Sequence, residues 1–177
     1  MGRSRYRILE PSQAHFLTFT VVSWTPVFCY PECAEVVLDS LRFLQEEGRL
    51  VLYAYVIMEN HIHLIASAEK LAKEVKEFKS WTAREIAARI EARGAEAFLG
   101  ILRAEKEPRR RLSKYQIWQP DSHPKSIESL SFMQQKVEYI HNNPVRRGYV
   151  ADPVHWRCSS ARNYFGLEGL IPVTLEW

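Results

Sequence analysis

The sequence predicts an α+β domain in which helices pack mainly on one face of an antiparallel sheet. Short apolar runs rich in β-branched and aromatic residues, such as HFLTFTVVSW and VLYAYVIM, alternate along the chain with longer stretches of helical periodicity. Two of the short runs are separated only by the polar pair Glu59-Asn60, which makes them a hairpin and therefore antiparallel. With 46% hydrophobic and 25% charged residues, most of the 177-residue chain is able to bury a core, which argues against disorder along its length.

The elements follow in order. HFLTFTVVSW is a first strand, bounded by Pro26, and an amphipathic helix runs from about Cys33 to Glu47, where Gly48 closes it. The hairpin pairs Val51 to Met58 with Ile62 to Ala68, and Asn60 suits its turn. A long helix from about Leu71 to Arg93 sets Val75, Phe78, Ala83, Ile86 and Ile90 at roughly helical spacing and ends near Gly94. A shorter helix covers Ala95 to Glu105, KYQIWQ is a fourth strand, and a last helix runs from an N-cap at Ser126 to about Asn143. The order βαββαβα points to a ferredoxin-like layout. It is read as one domain over 1–177, with a basic N-terminal arm at about 1–14, an irregular basic run at 106–114 and an irregular C-terminal tail at about 153–177.

No apolar run approaches the ~20 residues that span a bilayer, and MGRSRYRILEPSQ lacks the apolar core of a signal peptide, so a cytoplasmic protein with no membrane partner is expected. Cys29, Cys33 and Cys158 match no paired metal-ligand spacing and read as reduced thiols. The net charge of +3 understates the clustering of basic residues. Arg3, Arg5 and Arg7 form one group, Arg109, Arg110 and Arg111 a second, and Arg146 with Arg147 a third. With Tyr6, Trp81, Tyr115 and Trp118 near them in sequence, these clusters are compatible with a surface that binds phosphates and stacks bases.

The chemistry-bearing stretch is YVIMENHIHLIASA. Side chains alternate along a strand, so His61, His63 and Ile65 share one open face while Ile62, Leu64 and Ala66 take the other. Two imidazoles so placed can chelate a divalent cation, but they make an incomplete site. A second signal lies in SIESLSFMQQKVEYIHNNPVRRGYV. Ile127, Leu130, Met133, Val137 and Ile140 form the core stripe of that helix, and Tyr139 projects well away from it, on a flank shared with Gln135 and Asn143. Asn143 precedes Pro144, a helix stop. If this helix crosses the histidine face, Asn143 can offer a carbonyl oxygen to the cation and Tyr139 can reach what the cation polarises.

MENHIHLI resembles the HUH motif (histidine, bulky hydrophobic, histidine), and YIHNNPVRRGYV resembles the tyrosine motif, of the single-tyrosine transposases, most closely the REP-associated tyrosine transposases of bacteria. FKSWTAREI and WRCSSARNYF also resemble family segments, so the similarity runs from about His15 to Phe165. The departure is Glu59, where family members usually have proline; it bears on the turn geometry and the local charge. The resemblance implies that His61 and His63 are paired metal ligands, Asn143 the third ligand and Tyr139 the nucleophile, with Mg²⁺ or Mn²⁺ as cofactor. It implies cleavage of single-stranded DNA beside an imperfect hairpin, leaving a 5′-phosphotyrosine and a free 3′-hydroxyl, by a monomer or homodimer at the bacterial nucleoid. Arg3, Arg5, Arg7, Lys79, Arg109, Arg110, Arg111 and Arg146 are the candidate DNA contacts. Two other readings stay open at this level: a non-catalytic hairpin-binding protein or repressor on the same scaffold, and a metal-dependent hydrolase that forms no covalent intermediate.

Overall fold

A computed structural model describes residues 13–106, 113–120 and 124–177. Strands β1 (His15–Thr20), β2 (Val51–Ile57), β3 (His61–Ser67) and β4 (Lys125–Ser126) form one sheet in the order β2-β3-β1-β4, each pair antiparallel. With α1 (Pro31–Glu46) between β1 and β2, and α2 (Leu71–Arg93) and α3 (Glu96–Ala104) between β3 and β4, this is the expected ferredoxin-like arrangement. Pro31 sits in the first turn of α1, where its missing N–H costs nothing, and Gly94 ends α2 in the left-handed region at φ 70°.

Strand alternation divides the core. Leu17, Phe19, Leu52, Tyr55, Ile57, Ile62, Leu64 and Ala66 pack under α1, α2 and α3. Phe16, Ala54, Val56 and Ile65 face the other way, against Met133, Val137 and Ile140 of α4 (Leu130–His141). Most of the helical mass therefore lies on one face, as expected, but α4 covers the other, which is the histidine face.

The fourth strand differs from the expectation. KYQIWQ is not a regular strand; it runs along the outer edge of β1 through one bridge, Trp118 to Val21, with Val22 N donating to Ile117 O (2.8 Å) and Gln119 N to Thr20 O (2.8 Å). Farther along the same edge β4 pairs with His15 and Phe16. Pro120 and Pro124 bracket the gap between the two pieces, and a proline cannot donate to a ladder. Trp118 instead fills the core, its indole N–H donating to Thr82 Oγ1 at 3.0 Å.

Helix α4 also starts later than the sequence suggests. Ser126 is taken by β4, and Ser129 is the N-cap, its hydroxyl accepting from Phe132 N at 3.2 Å. Leu130 consequently falls off the core stripe and is 64% exposed. The NNP stop holds for α4, which ends at His141 with Asn142 as its cap, but a separate short helix, α5 (Asn143–Arg146), follows at once, with Pro144 in its first turn.

The C-terminal segment, expected to be irregular, extends the sheet. Ile57 N donates to Cys158 O (2.8 Å) and Ser160 N to Tyr55 O (3.0 Å), so residues 158–160 lie along the free edge of β2 before α6 (Ala161–Tyr164). Ser160 Oγ accepts from Tyr55 N (2.9 Å) and lies 2.9 Å from Nε2 of His141, whose pKa burial pushes down to about 4. All three groups are buried, so Ser160→Ala strands the Tyr55 N–H and is expected to lower stability by about 1–3 kcal/mol, read as a reduced urea midpoint at unchanged slope.

Candidate active site

His61 and His63 lie on β3, which is paired on both sides; Thr20 and Thr18 of β1 stand opposite them, and Val56 of β2 faces His63. Their rings are 4.9 Å apart, at 72°. The face is not open to water, because α4 crosses it: His61 is 5% and His63 6% exposed, and His63 stacks on Phe16 at 5.2 Å. Burial pushes the His61 pKa down to about 4, Glu59 opposing and Arg147 reinforcing it, and that of His63 down to about 3, with His61 and Lys136 adding to it. Both rings are therefore neutral near pH 7, the form that binds metal.

Each ring is oriented through Nδ1. Asn60 Nδ2 donates to Trp24 O (3.2 Å), so Asn60 Oδ1 is the atom facing His61 Nδ1, at 2.7 Å. An amide oxygen only accepts, so the His61 proton sits on Nδ1 and Nε2 keeps its lone pair. His63 Nδ1 is 2.9 Å from Thr18 Oγ1, and with the threonine accepting, Nε2 of His63 is free in the same way. An imidazole held by an oxygen partner through one nitrogen, with the other open, is the arrangement of a metal-ligating histidine. Thr18→Val keeps strand shape and removes that partner. It is expected to weaken Mn²⁺ binding about tenfold in calorimetry and, because it strands the buried His63 Nδ1–H, to lower stability by about 1–3 kcal/mol as well.

The hairpin turn holds despite Glu59. Met58 N donates to His61 O (2.8 Å), Val21 N to Asn60 O (2.9 Å) and Phe28 N to Glu59 O (3.0 Å). The Glu59 carboxylate lies 3.5 Å from Arg147 Nη1, which ties the turn to the segment after α5.

Tyr139 meets one of the two histidines, His63. Its half-buried ring lies 5.3 Å from His63 and 5.9 Å from Phe16, both edge-on. The flank turned away from the aliphatic stripe is thus turned toward His63. Among the described residues nothing is hydrogen-bonded to its hydroxyl. Lys136 Nζ lies 5.5 Å from this ring and about as near to Phe16 and Phe132, and Arg146 Cζ lies 5.4 Å away. Burial, then Lys125, lowers the Lys136 pKa.

Asn143 begins α5, one helical turn beyond Tyr139, and is 8% exposed. Among the described residues its carboxamide has no hydrogen bond, to either imidazole or to any other group. Nor do three or more His, Cys, Asp or Glu side chains gather among them, so a third protein ligand must be of another type. The Asn143 carboxamide, which has no partner among the described residues, is such a group. Two neutral imidazoles with free Nε2 atoms and an amide oxygen fit a divalent cation.

Of the candidate DNA contacts, Arg146 is beside Tyr139. Lys79 is on α2, on the opposite face of the sheet, where its ammonium donates to Gln119 O (2.8 Å) and Pro120 O (3.2 Å) along a groove of about 790 Å³. Its position separates it from the histidine site. Arg3, Arg5, Arg7, Arg109, Arg110 and Arg111 lie outside the described residues. The sequence reading passed over Lys136, three residues before Tyr139 and so on the same flank, which helical spacing could have revealed. It also passed over the partnership of Thr18 with His63, which depends on cross-strand register and has no local signal.

No family model matches the chain, and a search of curated proteins gave no match. Solved structures do match. The structure of a REP-associated tyrosine transposase bound to a REP hairpin aligns with a TM-score of 0.61 at 18% identity, over 98% of this chain and 94% of that one. A candidate transposase from Deinococcus radiodurans R1 aligns with a TM-score of 0.46 at 22% identity, over 79% of this chain and 97% of that one, too loosely to weigh. The first likeness, found for a chain in which the tyrosine packs on the second histidine of the pair, is one of fold: this chain has the fold of a REP-associated tyrosine transposase over nearly its whole length.

Proposed function

We propose that this protein is a metal-dependent single-stranded DNA endonuclease and strand transferase that cleaves beside a hairpin through a covalent tyrosine intermediate. The observation that carries the reading is the 5.3 Å packing of the Tyr139 ring on His63, inside one chain. Tyr139 then serves the histidines of its own subunit, and a monomer suffices. The fold shared with a transposase solved on a REP hairpin supports the same substrate class.

His61 and His63 would hold Mg²⁺ or Mn²⁺ through Nε2, and Asn143 would supply an amide oxygen. The cation, when bound, neutralises charge growing on the non-bridging oxygens of the scissile phosphate. Lys136 and Arg146 add positive charge on the tyrosine side, where the phosphate backbone passes. Tyr139 releases its proton to solvent and its oxygen bonds to phosphorus, while the bond to the 3′ oxygen breaks and that oxygen takes up a proton. The products are a 5′-phosphotyrosine and a 3′-hydroxyl. Attack of another 3′-hydroxyl on the phosphotyrosine restores a phosphodiester without ATP.

The test uses single-stranded hairpin DNA from repeats of the source genome, labelled on the 3′ side of the cut, and a denaturing gel. The label is expected to travel with the protein, because tyrosine retains the 5′-phosphate. Label on the other fragment sets the opposite polarity and removes this reading, and cleavage with no protein-linked label favours the hydrolase.

A further inference from the structure

Beyond the end of β1 the chain turns sharply through Val22–Trp24, and two consecutive residues, Ser23 (φ 50°, ψ 25°) and Trp24 (φ 52°), take left-handed backbone angles. Neither is glycine, and a bulky residue in this region is an outlier that surrounding structure must hold in place. That structure is present. Ser23 Oγ donates to Glu105 Oε1 (2.6 Å), Trp24 N to Val21 O (3.1 Å), and the buried Thr25 hydroxyl to Val22 O (2.8 Å). The strain serves no burial, for Trp24 is 55% exposed.

What it achieves is a position. The indole stands 6.0 Å from the His61 ring, at 75°. One carboxamide joins the two, since Asn60 donates to the Trp24 carbonyl and accepts from His61 Nδ1. Glycine would take this turn without strain, so an exposed indole held there implies a use for the ring itself. The groups around it are polar, namely the His61 imidazole, the Asn60 carboxamide and the Ser23–Glu105 pair, which suits a nucleobase better than a protein surface: a flat ring offers any base a stacking face.

We propose that Trp24 is the stacking platform for an unpaired base beside the scissile phosphate, holding the strand in place against the His61 side of the site. The inference rests on the single-stranded DNA reading above and adds to it a residue that the histidine and tyrosine motifs do not contain.

The test is a double-mutant cycle between protein and DNA. The probe is the same hairpin oligonucleotide with short single-stranded flanks, in which each flanking nucleotide in turn is replaced by an abasic site; binding is measured without divalent metal, so that no cleavage intervenes. In the wild type, one abasic position is expected to weaken binding roughly tenfold. Trp24→Gly should weaken the intact oligonucleotide by a similar factor, be indifferent to that abasic position, and lose no thermal stability because glycine relieves the left-handed angle. Trp24→Phe should retain most of the affinity and the sensitivity. A wild type that binds and forms the adduct but shows no coupling at any position overturns the stacking role alone, as does a Trp24→Gly protein with a lowered thermal midpoint. A wild type that neither binds the oligonucleotide nor forms an adduct removes both readings together.

Discussion

Tyr139→Phe is expected to abolish the covalent protein–DNA adduct while folding, Mn²⁺ affinity and hairpin binding stay near wild type. The substitution deletes one oxygen, and among the described residues that oxygen is in no hydrogen bond, so no internal bond is lost with it. The ring contacts with His63, Phe16, Lys136 and Arg146 belong to the carbon skeleton and survive. A structural tyrosine would behave differently. Its phenylalanine variant would lose on the order of 1 kcal/mol with its hydrogen bond and would keep cleaving. Denaturant midpoints measured beside the adduct assay separate the two outcomes. Cleavage at the wild-type rate in the phenylalanine variant would leave the hydrolase reading in place of this one.

Replacing both histidines is expected to weaken Mn²⁺ binding by more than about a hundredfold and to end cleavage, since loss of a direct ligand costs at least as much as loss of the group that orients it. The structure changes what else should be seen. On an open face His→Ala would spare the fold, but both rings are buried and His63 is stacked on Phe16, so His63→Ala leaves a void and is expected to cost about 2–3 kcal/mol as well. His63→Gln keeps much of the volume and isolates the loss of metal from the loss of packing. Calorimetry with Mn²⁺ in the double glutamine variant is the decisive measurement, and wild-type affinity there would remove the site assignment. The same titration has an expected pH profile. Because burial holds the two pKa values at about 4 and about 3, protons do not compete for the imidazoles until well below 6.5, and affinity should stay nearly flat from about pH 7 to about pH 5.5. An exposed histidine pair would lose affinity across that interval.

The sequence by itself determined the features that depend on local backbone geometry. Strand alternation has a period of two wherever it occurs, so His61 and His63 had to share a face and Ile62 and Leu64 had to take the other, whatever lay above them. Helical rotation per residue likewise put Tyr139 off the stripe of Met133, Val137 and Ile140, and the α2 boundaries were legible in Leu71 and Gly94. Only the tertiary structure decided what those faces meet. That α4 covers the histidine face, and turns the Tyr139 flank rather than another onto His63, depends on the crossing of a helix over a sheet some seventy residues away in the chain. The fourth edge was split because Pro120 and Pro124 cannot donate to a ladder, and α4 began at Leu130 because Ser126 had a strand partner in β1 that no local pattern announces. The segment Cys158–Ser160, read as irregular, came to lie along the edge of β2 because β2 had unpaired backbone groups to satisfy. The left-handed turn at Ser23 and Trp24 contradicts the local preference of both residues, and hydrogen bonds to Glu105 and Asn60, remote in sequence, hold it. Periodicity is a property of the chain's own dihedral angles and can be read from neighbours, whereas register, covering and strain are settled by which distant groups fill the remaining space and satisfy the remaining donors.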